Sequence, residues 1–300
     1  MKPGYRRHRV PLRPPLARRI LPLSVLVGGV ACLASPTPVA AQWTLDPGAG
    51  WVQVQVYYQN TRKEYGENAN KRRFFFDGHA ITTSVFVTAA VGVINGLDVW
   101  AQVPVHNLSF DDVAGNRQRT GFGDPRFWVR IGPKLFGLHT DFPIAIRGGV
   151  KLPGADFPID SEIIPLTEGQ TDFEIMLELG HSFYPLPMYV SGWVGYRFRQ
   201  KNEKAFRDPG DEKFAYVAIG GSFARSFTWK LAGEGLWGLA PVIDGVSVPS
   251  GRRKILEILP TLGHKMGPGN IEIGGRFPFS GRNLPAGPSV TGGYFFAWHP

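Results

Sequence analysis

The sequence has 300 residues, and its 33 basic and 24 acidic side chains give a formal net charge of +9. Seven basic residues lie within the first 19 positions, which contain no acidic residue, so the rest of the chain is close to +2. This even balance gives no reason to expect nucleic acid as a partner. The single cysteine, Cys32, excludes an intramolecular disulfide and a multi-cysteine metal site.

The N-terminal stretch predicts a secretory signal peptide. A basic region is followed by an apolar segment, residues 20–34, and by the small residues Val39-Ala40-Ala41. We expect cleavage after Ala41, which divides the chain into a leader, residues 1–41, and one barrel domain, residues 42–300. A lipoprotein signal at Cys32 is an alternative, although the residues before Cys32 lack the usual leucine, and a twin-arginine signal is another.

Alternation of apolar and polar residues begins at residues 51–59 and is strongest at residues 81–105. A period of two places successive side chains on opposite faces of a strand. Asn95-Gly96 separates the two halves of the second run, and Asn-Gly is a strong hairpin signal because both residues tolerate a positive φ. Each half is about as long as a tilted strand that crosses a bilayer.

The same unit recurs down the chain and gives twelve expected strands, joined alternately by tight turns and long polar loops. The expected long loops are residues 60–78, 107–120, 153–170, 200–212, 241–251 and a last one before residue 289. Pro133 and Pro260 fall inside expected strands, where each removes a ladder donor, so we expect a bulge or kink at both.

This layout predicts an all-β fold: a 12-stranded antiparallel up-and-down transmembrane β-barrel with short periplasmic turns and long extracellular loops. A soluble β-sandwich shows the same alternation turned inside out. The export signal, the strictly alternating loop lengths and the aromatic residues near strand ends favour the barrel. The expected location is therefore the bacterial outer membrane.

Several short motifs carry a resemblance to a known family. They are residues 121–124 (Gly-Phe-Gly-Asp) opening a strand, residues 151–154 (Lys-Leu-Pro-Gly) closing one, Asp172, residues 195–198 (Gly-Tyr-Arg-Phe) and the aromatic C-terminus. Together they resemble the outer-membrane barrels named after the meta-cleavage pathway of phenol degradation. This resemblance implies a twelve-stranded barrel that transports aromatic or other hydrophobic compounds.

The polar faces of the strands would line the lumen, because a Lys or Arg that faces lipid near the midplane costs about 2 to 4 kcal/mol. We expect this lining to be mixed in sign and positive on balance, and thus to set a selectivity bias. Its expected members are Arg130, Lys134, Arg147, Lys151, Glu174, Glu178, Arg197, Arg199, Lys230, Glu234, Glu257, Glu272 and Arg276. Asp98, Arg253 and Lys265 share these faces.

The pattern predicts a monomeric channel for passive uptake of small hydrophobic or aromatic solutes, with no cofactor and no metal. The alternatives are a filled barrel that acts in structure or surface interaction, and an outer-membrane hydrolase. His181 and Ser182 are adjacent and would point to opposite faces, so they do not form a Ser/His pair. Outer-membrane lipids are expected partners, and basic residues in the loop 60–78 could contact lipopolysaccharide phosphates.

Overall fold

The computed structural model describes residues 44–138, 140, 142–158, 163–224 and 226–300. The expected leader, residues 1–41, and the expected cleavage site lie outside these residues. No α-helix occurs among the residues described, and accordingly none of their helical segments could span a membrane.

Thirteen long strands build the main sheet, and six short strands lie outside it. In chain order the strands are β1 (Gly50–Thr61), β2 (Lys63–Tyr65), β3 (Lys71–Arg73), β4 (His79–Ile94), β5 (Leu97–Asp112), β6 (Gly115–Phe122), β7 (Arg126–Ile131), β8 (Ile144–Lys151), β9 (Asp172–Ser182), β10 (Met188–Arg199), β11 (Arg207–Asp208), β12 (Glu212–Phe223), β13 (Phe227–Gly238), β14 (Val242–Ile243), β15 (Val246–Ser247), β16 (Lys254–Met266), β17 (Gly269–Arg282), β18 (Leu284–Pro285) and β19 (Ser289–Trp298). Short 3-10 helices occur at Phe75–Asp77, Pro133–Phe136 and Pro249–Gly251.

The main sheet closes on itself, so the predicted barrel is confirmed. Long strands that follow one another in the chain pair antiparallel, except that β7 pairs with β5 and not with β6, and β1 pairs with β19 from Gly50↔Trp298 to Gln59↔Ser289. The strands β6 and β7 both pair with β5 and together make one crossing, which gives twelve crossings in all. Closure satisfies the backbone groups that an open sheet edge would expose to hydrocarbon.

The two faces of the wall differ in chemistry as the alternation predicts. Mid-strand apolar side chains are exposed on the outer face, for example Val56 at 43%, Val217 at 57% and Ile273 at 64%. Alternate positions turn inward, and several charged residues there are buried, for example Lys151 and Glu178. Lipid is the medium that suits the outer face, because water would leave this apolar surface unburied.

One expected loop is instead a hairpin. Residues 107–120 were predicted to be a long loop, but β5 runs on to Asp112 and β6 returns from Gly115, paired from Val105↔Phe122 to Asp112↔Gly115. The loop prediction was wrong because polar side chains do not prevent a hairpin that projects into water from forming a ladder. Pro125, which lacks an N–H, separates β6 from β7.

The two prolines expected inside strands behave differently. Pro133 is not in a strand: β7 ends at Ile131, and Pro133 begins the 3-10 helix Pro133–Phe136, where its missing N–H costs nothing. Pro260 does lie in β16 and pairs with Leu231 of β13. On the side of β17, Ile258 and Thr261 have paired partners, whereas the two residues between them do not. The register shift between β16 and β17 lies at Leu256/Glu257 and not at the proline itself.

The chain folds inward at the periplasmic mouth before β1 begins. The Gly48 N–H donates to the Gly92 carbonyl (2.9 Å), and the Gly92 N–H donates to the Ala49 carbonyl (2.9 Å). The Leu45 N–H reaches the inward-facing carboxylate of Asp98 at 2.9 Å. Residues 44–49 therefore cover part of the lumen opening on the side of β4 and β5.

Replacing Val56 by Arg tests which face of the barrel wall contacts lipid. A guanidinium on the outer face near the midplane should destabilise the barrel by about 2 to 4 kcal/mol, whereas Gln55→Arg, one residue away on the inner face, should cost much less. Guanidinium-induced unfolding in lipid vesicles measures both values. Equal costs for the two variants would contradict the assignment of faces.

Candidate functional site: the barrel lumen

Four buried charges form a network at the periplasmic side of the lumen, which we name the periplasmic cluster: Asp98, Arg130, Arg147 and Glu178. The strands β5, β7, β8 and β9 each contribute one of them at an inward position. Arg130 Nη2 lies 2.8 Å from Asp98 Oδ2, and Arg147 Nη2 lies 2.7 Å from Glu178 Oε1. Charges so deeply buried require partners, because each alone would carry a large desolvation penalty.

Tryptophans pack around this cluster and fill the adjacent space. The Arg147 guanidinium carbon lies 4.6 Å from the Trp100 ring centroid and 5.7 and 5.9 Å from those of Trp128 and Trp193. Trp100 Nε1 donates to Asp98 Oδ1 at 2.5 Å. Cation-π contacts of this kind are strongest where water is excluded, so they reinforce the ion pairs.

A second network, the extracellular cluster, lies where the strands reach the opposite mouth. Its members are Asp124, Lys151, Glu168, Asp172, Arg199, Glu212 and Arg253. Lys151 Nζ contacts Asp172 Oδ2 at 2.8 Å and Glu168 Oε2 at 2.6 Å. Arg199 pairs with both Glu168 and Glu212. Most members lie at strand ends and are buried, so this network braces the rim of the barrel.

Glu168 belongs to this cluster although it lies in the loop between β8 and β9. The backbone N–H groups of Gly154 and Glu168 both donate to the Asp124 carboxylate at 2.9 Å, which fixes the two ends of the loop. Although burial opposes ionisation of the Glu168 carboxyl, the charges of Arg199, Lys151 and Arg253 hold its pKa well below the usual range. The loop carboxylate is therefore an anion held among wall cations.

Two further groups of charges complete the lining. Arg197 lies between Glu174 Oε2 (2.9 Å) and Glu212 Oε2 (2.7 Å), which links the middle of the wall to the extracellular cluster. On the opposite wall, Arg276 pairs with Glu257 and, at 2.8 Å, with Glu234. These pairs cross from strand to strand and therefore stiffen the wall as well as line it.

The structure places most of the predicted lumen residues in these networks, but one prediction was wrong. Lys134 lies exposed in the 3-10 helix Pro133–Phe136 of a periplasmic turn and not on the inner face of a strand, because Pro133 ends the strand before it. Lys230 and Glu272 occupy inward positions outside the clusters. Glu272 accepts a 3.4 Å hydrogen bond from Gln53, and Lys230 has no carboxylate within 4 Å among the described residues.

The expected positive balance also needs correction, because four acidic residues were missed: Asp124, Glu168, Asp172 and Glu212. Each forms an ion pair with a cation of the lumen, so the lining is close to neutral. Asp172 could have been found, since a period of two places it on the same face as Glu174. Glu168 could not have been found, because nothing in a loop sequence indicates that it folds onto a barrel wall.

A Ser/His contact that the sequence did not suggest lies between β4 and β5. Ser84 Oγ and His106 Nδ1 are 2.7 Å apart, and the imidazole ring packs edge-on against Phe86. Ser84 is only 2% exposed, so a substrate carbonyl has no access to its hydroxyl. The contact is a structural hydrogen bond. Within the described ranges, no group of three or more His, Cys, Asp or Glu side chains could hold a metal.

Further aromatic contacts on the inner face extend from the periplasmic cluster. Trp193 and Tyr216 stack with their ring centroids 3.9 Å apart and an interplanar angle of 11°. Trp51 meets Trp100 edge-on at 4.8 Å. Such flat apolar surfaces with polar edges attract aromatic solutes through stacking and apolar contact.

Removing Asp98 tests the periplasmic cluster. The Asp98→Ala change leaves Arg130 buried without one of its counter-ions, so it should cost about 3 to 5 kcal/mol of unfolding free energy. Glu203→Ala is the control, since Glu203 pairs with Lys201 on an exposed loop and should cost under about 1 kcal/mol. Denaturant unfolding in lipid vesicles gives both values, and a small loss for Asp98→Ala would contradict the buried network.

The ion pairs of Glu168 predict how the stability of its loop depends on pH. A carboxyl whose folded pKa is depressed stabilises the folded state above its ordinary pKa of about 4.3, and this stabilisation is lost as the pH falls towards the folded value. Hydrogen exchange of residues 163–170, corrected for intrinsic rates, should therefore show equal protection at pH 7 and pH 5. Protection should fall only in stronger acid. A loss of protection between pH 7 and pH 5 would contradict the anchoring of Glu168.

Comparison with known proteins finds structures with a similar fold, but no matching family profile and no matching curated protein. A crystal structure of an outer membrane channel from Pseudomonas putida F1 is similar with a TM-score of 0.70 at 13% identity, over 86% of this chain and 98% of that one.

Two other solved structures are more distant. A monoaromatic hydrocarbon channel, CymD, has a TM-score of 0.45 at 6% identity, over 85% of this chain and 90% of that one. A FadL homologue of Pseudomonas aeruginosa has a TM-score of 0.35 at 8% identity, over 84% and 89%. Neither likeness is close enough to support an inference about this protein. The chain folds as a twelve-stranded transmembrane β-barrel, and its similarity to the P. putida channel extends over most of that barrel.

Proposed function

We propose that this protein is a monomeric, passive channel for small hydrophobic or aromatic solutes. The observation that carries the proposal is the chemistry of the inner face, where the stacked rings of Trp193 and Tyr216 lie beside the ion-paired periplasmic cluster. Both side chains are partly exposed, and such aromatic rings give a passing aromatic solute apolar contact. Because carboxylates balance most of the lumen cations, the lining does not present a strong field of either sign to a neutral solute.

In this proposal the periplasmic and extracellular clusters narrow the lumen and do not drive transport. Lumen residues such as Arg147 and Lys151 are buried in ion pairs and thus restrict the size of a solute more than they select its charge. A twelve-stranded barrel is intermediate in width between barrels filled by side chains and those with a wide aqueous channel. The proposed selectivity therefore arises from a small cross-section and an aromatic lining, with no cofactor.

The second candidate function is an occluded barrel that serves a structural or surface-interaction role. The burial of the periplasmic cluster, with Asp98 at 0% and Glu178 at 1% exposure, favours it. The basic residues of the loop 60–78 are the proposed contacts with lipopolysaccharide phosphates. Of these, Arg72 pairs with Glu64 at 3.0 Å, whereas Lys63 and Arg73 are exposed cross-strand neighbours.

Solute uptake by cells that lack the gene distinguishes the two candidates. Complementation with the wild-type gene should raise the initial uptake rates of radiolabelled toluene and benzoate several-fold, and should leave sucrose uptake unchanged. The intact lipopolysaccharide leaflet is essential to this experiment, since neutral aromatics cross phospholipid bilayers unaided. Equal aromatic uptake with and without the gene would contradict the channel and support the occluded barrel.

A further inference from the structure

The extracellular cluster holds an anion that the barrel wall does not supply. Lys151, Arg199 and Arg253 converge on the carboxylate of Glu168, which belongs to the loop after β8. The Lys151 contact is 2.6 Å, and Arg253 contacts Glu168 at 3.4 Å. The wall therefore forms a carboxylate-binding site, and one of this chain's own loops fills it.

The ion pairs around this site leave some of its cations without a carboxylate partner. Four cations of the cluster region, Lys151, Arg197, Arg199 and Arg253, face four wall carboxylates, which are Asp124, Asp172, Glu174 and Glu212. Arg126 and Arg207 lie within electrostatic range of Glu168. Neither has a carboxylate within 4 Å among the residues described, so Arg126 of β7 and Arg207 of β11 are two cations near Glu168 that no ion pair neutralises.

Glu168 is also the most exposed member of the site. Its side chain is 37% exposed, whereas those of Lys151 and Arg199 are each 2% exposed. The cations are fixed in the wall by other partners, for example Lys151 by Asp172 at 2.8 Å. A loop carboxylate can leave such a site at lower cost than a buried wall residue, because only the loop must move.

We infer that Lys151, Arg199 and Arg253 form an entrance site for the carboxylate of an incoming solute, and that Glu168 occupies this site until the solute displaces it. The inference rests on the proposed channel function and adds to it a binding site for one substrate class: small aromatic monocarboxylates. Guanidinium groups bind planar carboxylates through paired hydrogen bonds, so a solute carboxylate would reproduce the contacts of Glu168. A neutral aromatic solute has no group that could compete for them.

The same loop contributes an aromatic residue, Phe157, close to the residue that follows Glu168. Phe157 packs against Gly169, the residue after Glu168, and the Arg207 guanidinium lies 5.5 Å from its ring centroid. The loop therefore contributes both a carboxylate and an aromatic ring, and each contacts a cation of the protein. This pairing matches the two chemical groups of the solute class.

Benzoate binding to the purified protein in detergent tests the inference. Glu168→Ala removes the competing carboxylate, so isothermal titration should show benzoate binding about tenfold tighter than in wild type. The control Glu203→Ala removes an exposed loop carboxylate outside the site and should leave the affinity unchanged. Adding Arg253→Gln to Glu168→Ala should abolish the gain. Benzyl alcohol, the neutral counterpart, should bind all four proteins alike.

A second measurement follows the loop itself. Thr167 is 5% exposed, so Thr167→Cys should react slowly with a charged thiol reagent, and saturating benzoate should accelerate the reaction at least severalfold. Benzyl alcohol should have no effect. An unchanged benzoate affinity in Glu168→Ala, or equal acceleration by both compounds, would overturn the entrance site. Binding in detergent is independent of transport, so such a failure alongside gene-dependent toluene uptake would leave the proposed channel intact.

Discussion

The closed ladder between β1 and β19 is the constraint on which the rest of the structure depends. Hydrocarbon offers no hydrogen-bonding partner to the backbone, so the sheet must have no free edge. Closure in turn divides every strand into a lipid face and an interior face. The apolar outer positions and the charged inner positions follow from this division.

An enclosed interior imposes its own condition on the charges. Buried ions are tolerated only when counter-ions and hydrogen-bond donors surround them, and the two clusters meet this requirement through pairs such as Arg130 with Asp98. The pairs connect strands that are neighbours in the barrel, so one set of contacts both braces the wall and narrows the lumen. Structure and proposed selectivity thus have a common physical origin.

Much of the fold could be predicted from the sequence, because a period of two determines which side chain faces which way. Arg130, Arg147 and Glu178 were placed inward by alternation alone, and the structure has them there. Lys134 was misplaced because alternation continued past Pro133, where the backbone turns into a 3-10 helix. The hairpin of β5 and β6 was missed because its polar composition is typical of loops.

The candidate site was less predictable, since its central member comes from outside the strands. The inward fold of Glu168 depends on a tertiary contact, the Asp124 carboxylate that binds the N–H groups of Gly154 and Glu168. No local pattern encodes that contact. Periodicity therefore identifies the lining of a barrel, whereas the way a loop folds back onto it requires the three-dimensional structure.

Thiol labelling of single-cysteine variants shows whether the inner face encloses a water-accessible route. The only cysteine in the sequence, Cys32, lies in the expected leader, so single-cysteine variants of the barrel have no background. Gln102 faces inward and Val103, which is 39% exposed, faces outward. In intact outer membranes, a charged methanethiosulfonate reagent should modify Gln102→Cys and leave Val103→Cys unmodified. The reverse pattern, or no labelling of Gln102→Cys, would show that the inner face does not enclose a water-accessible route.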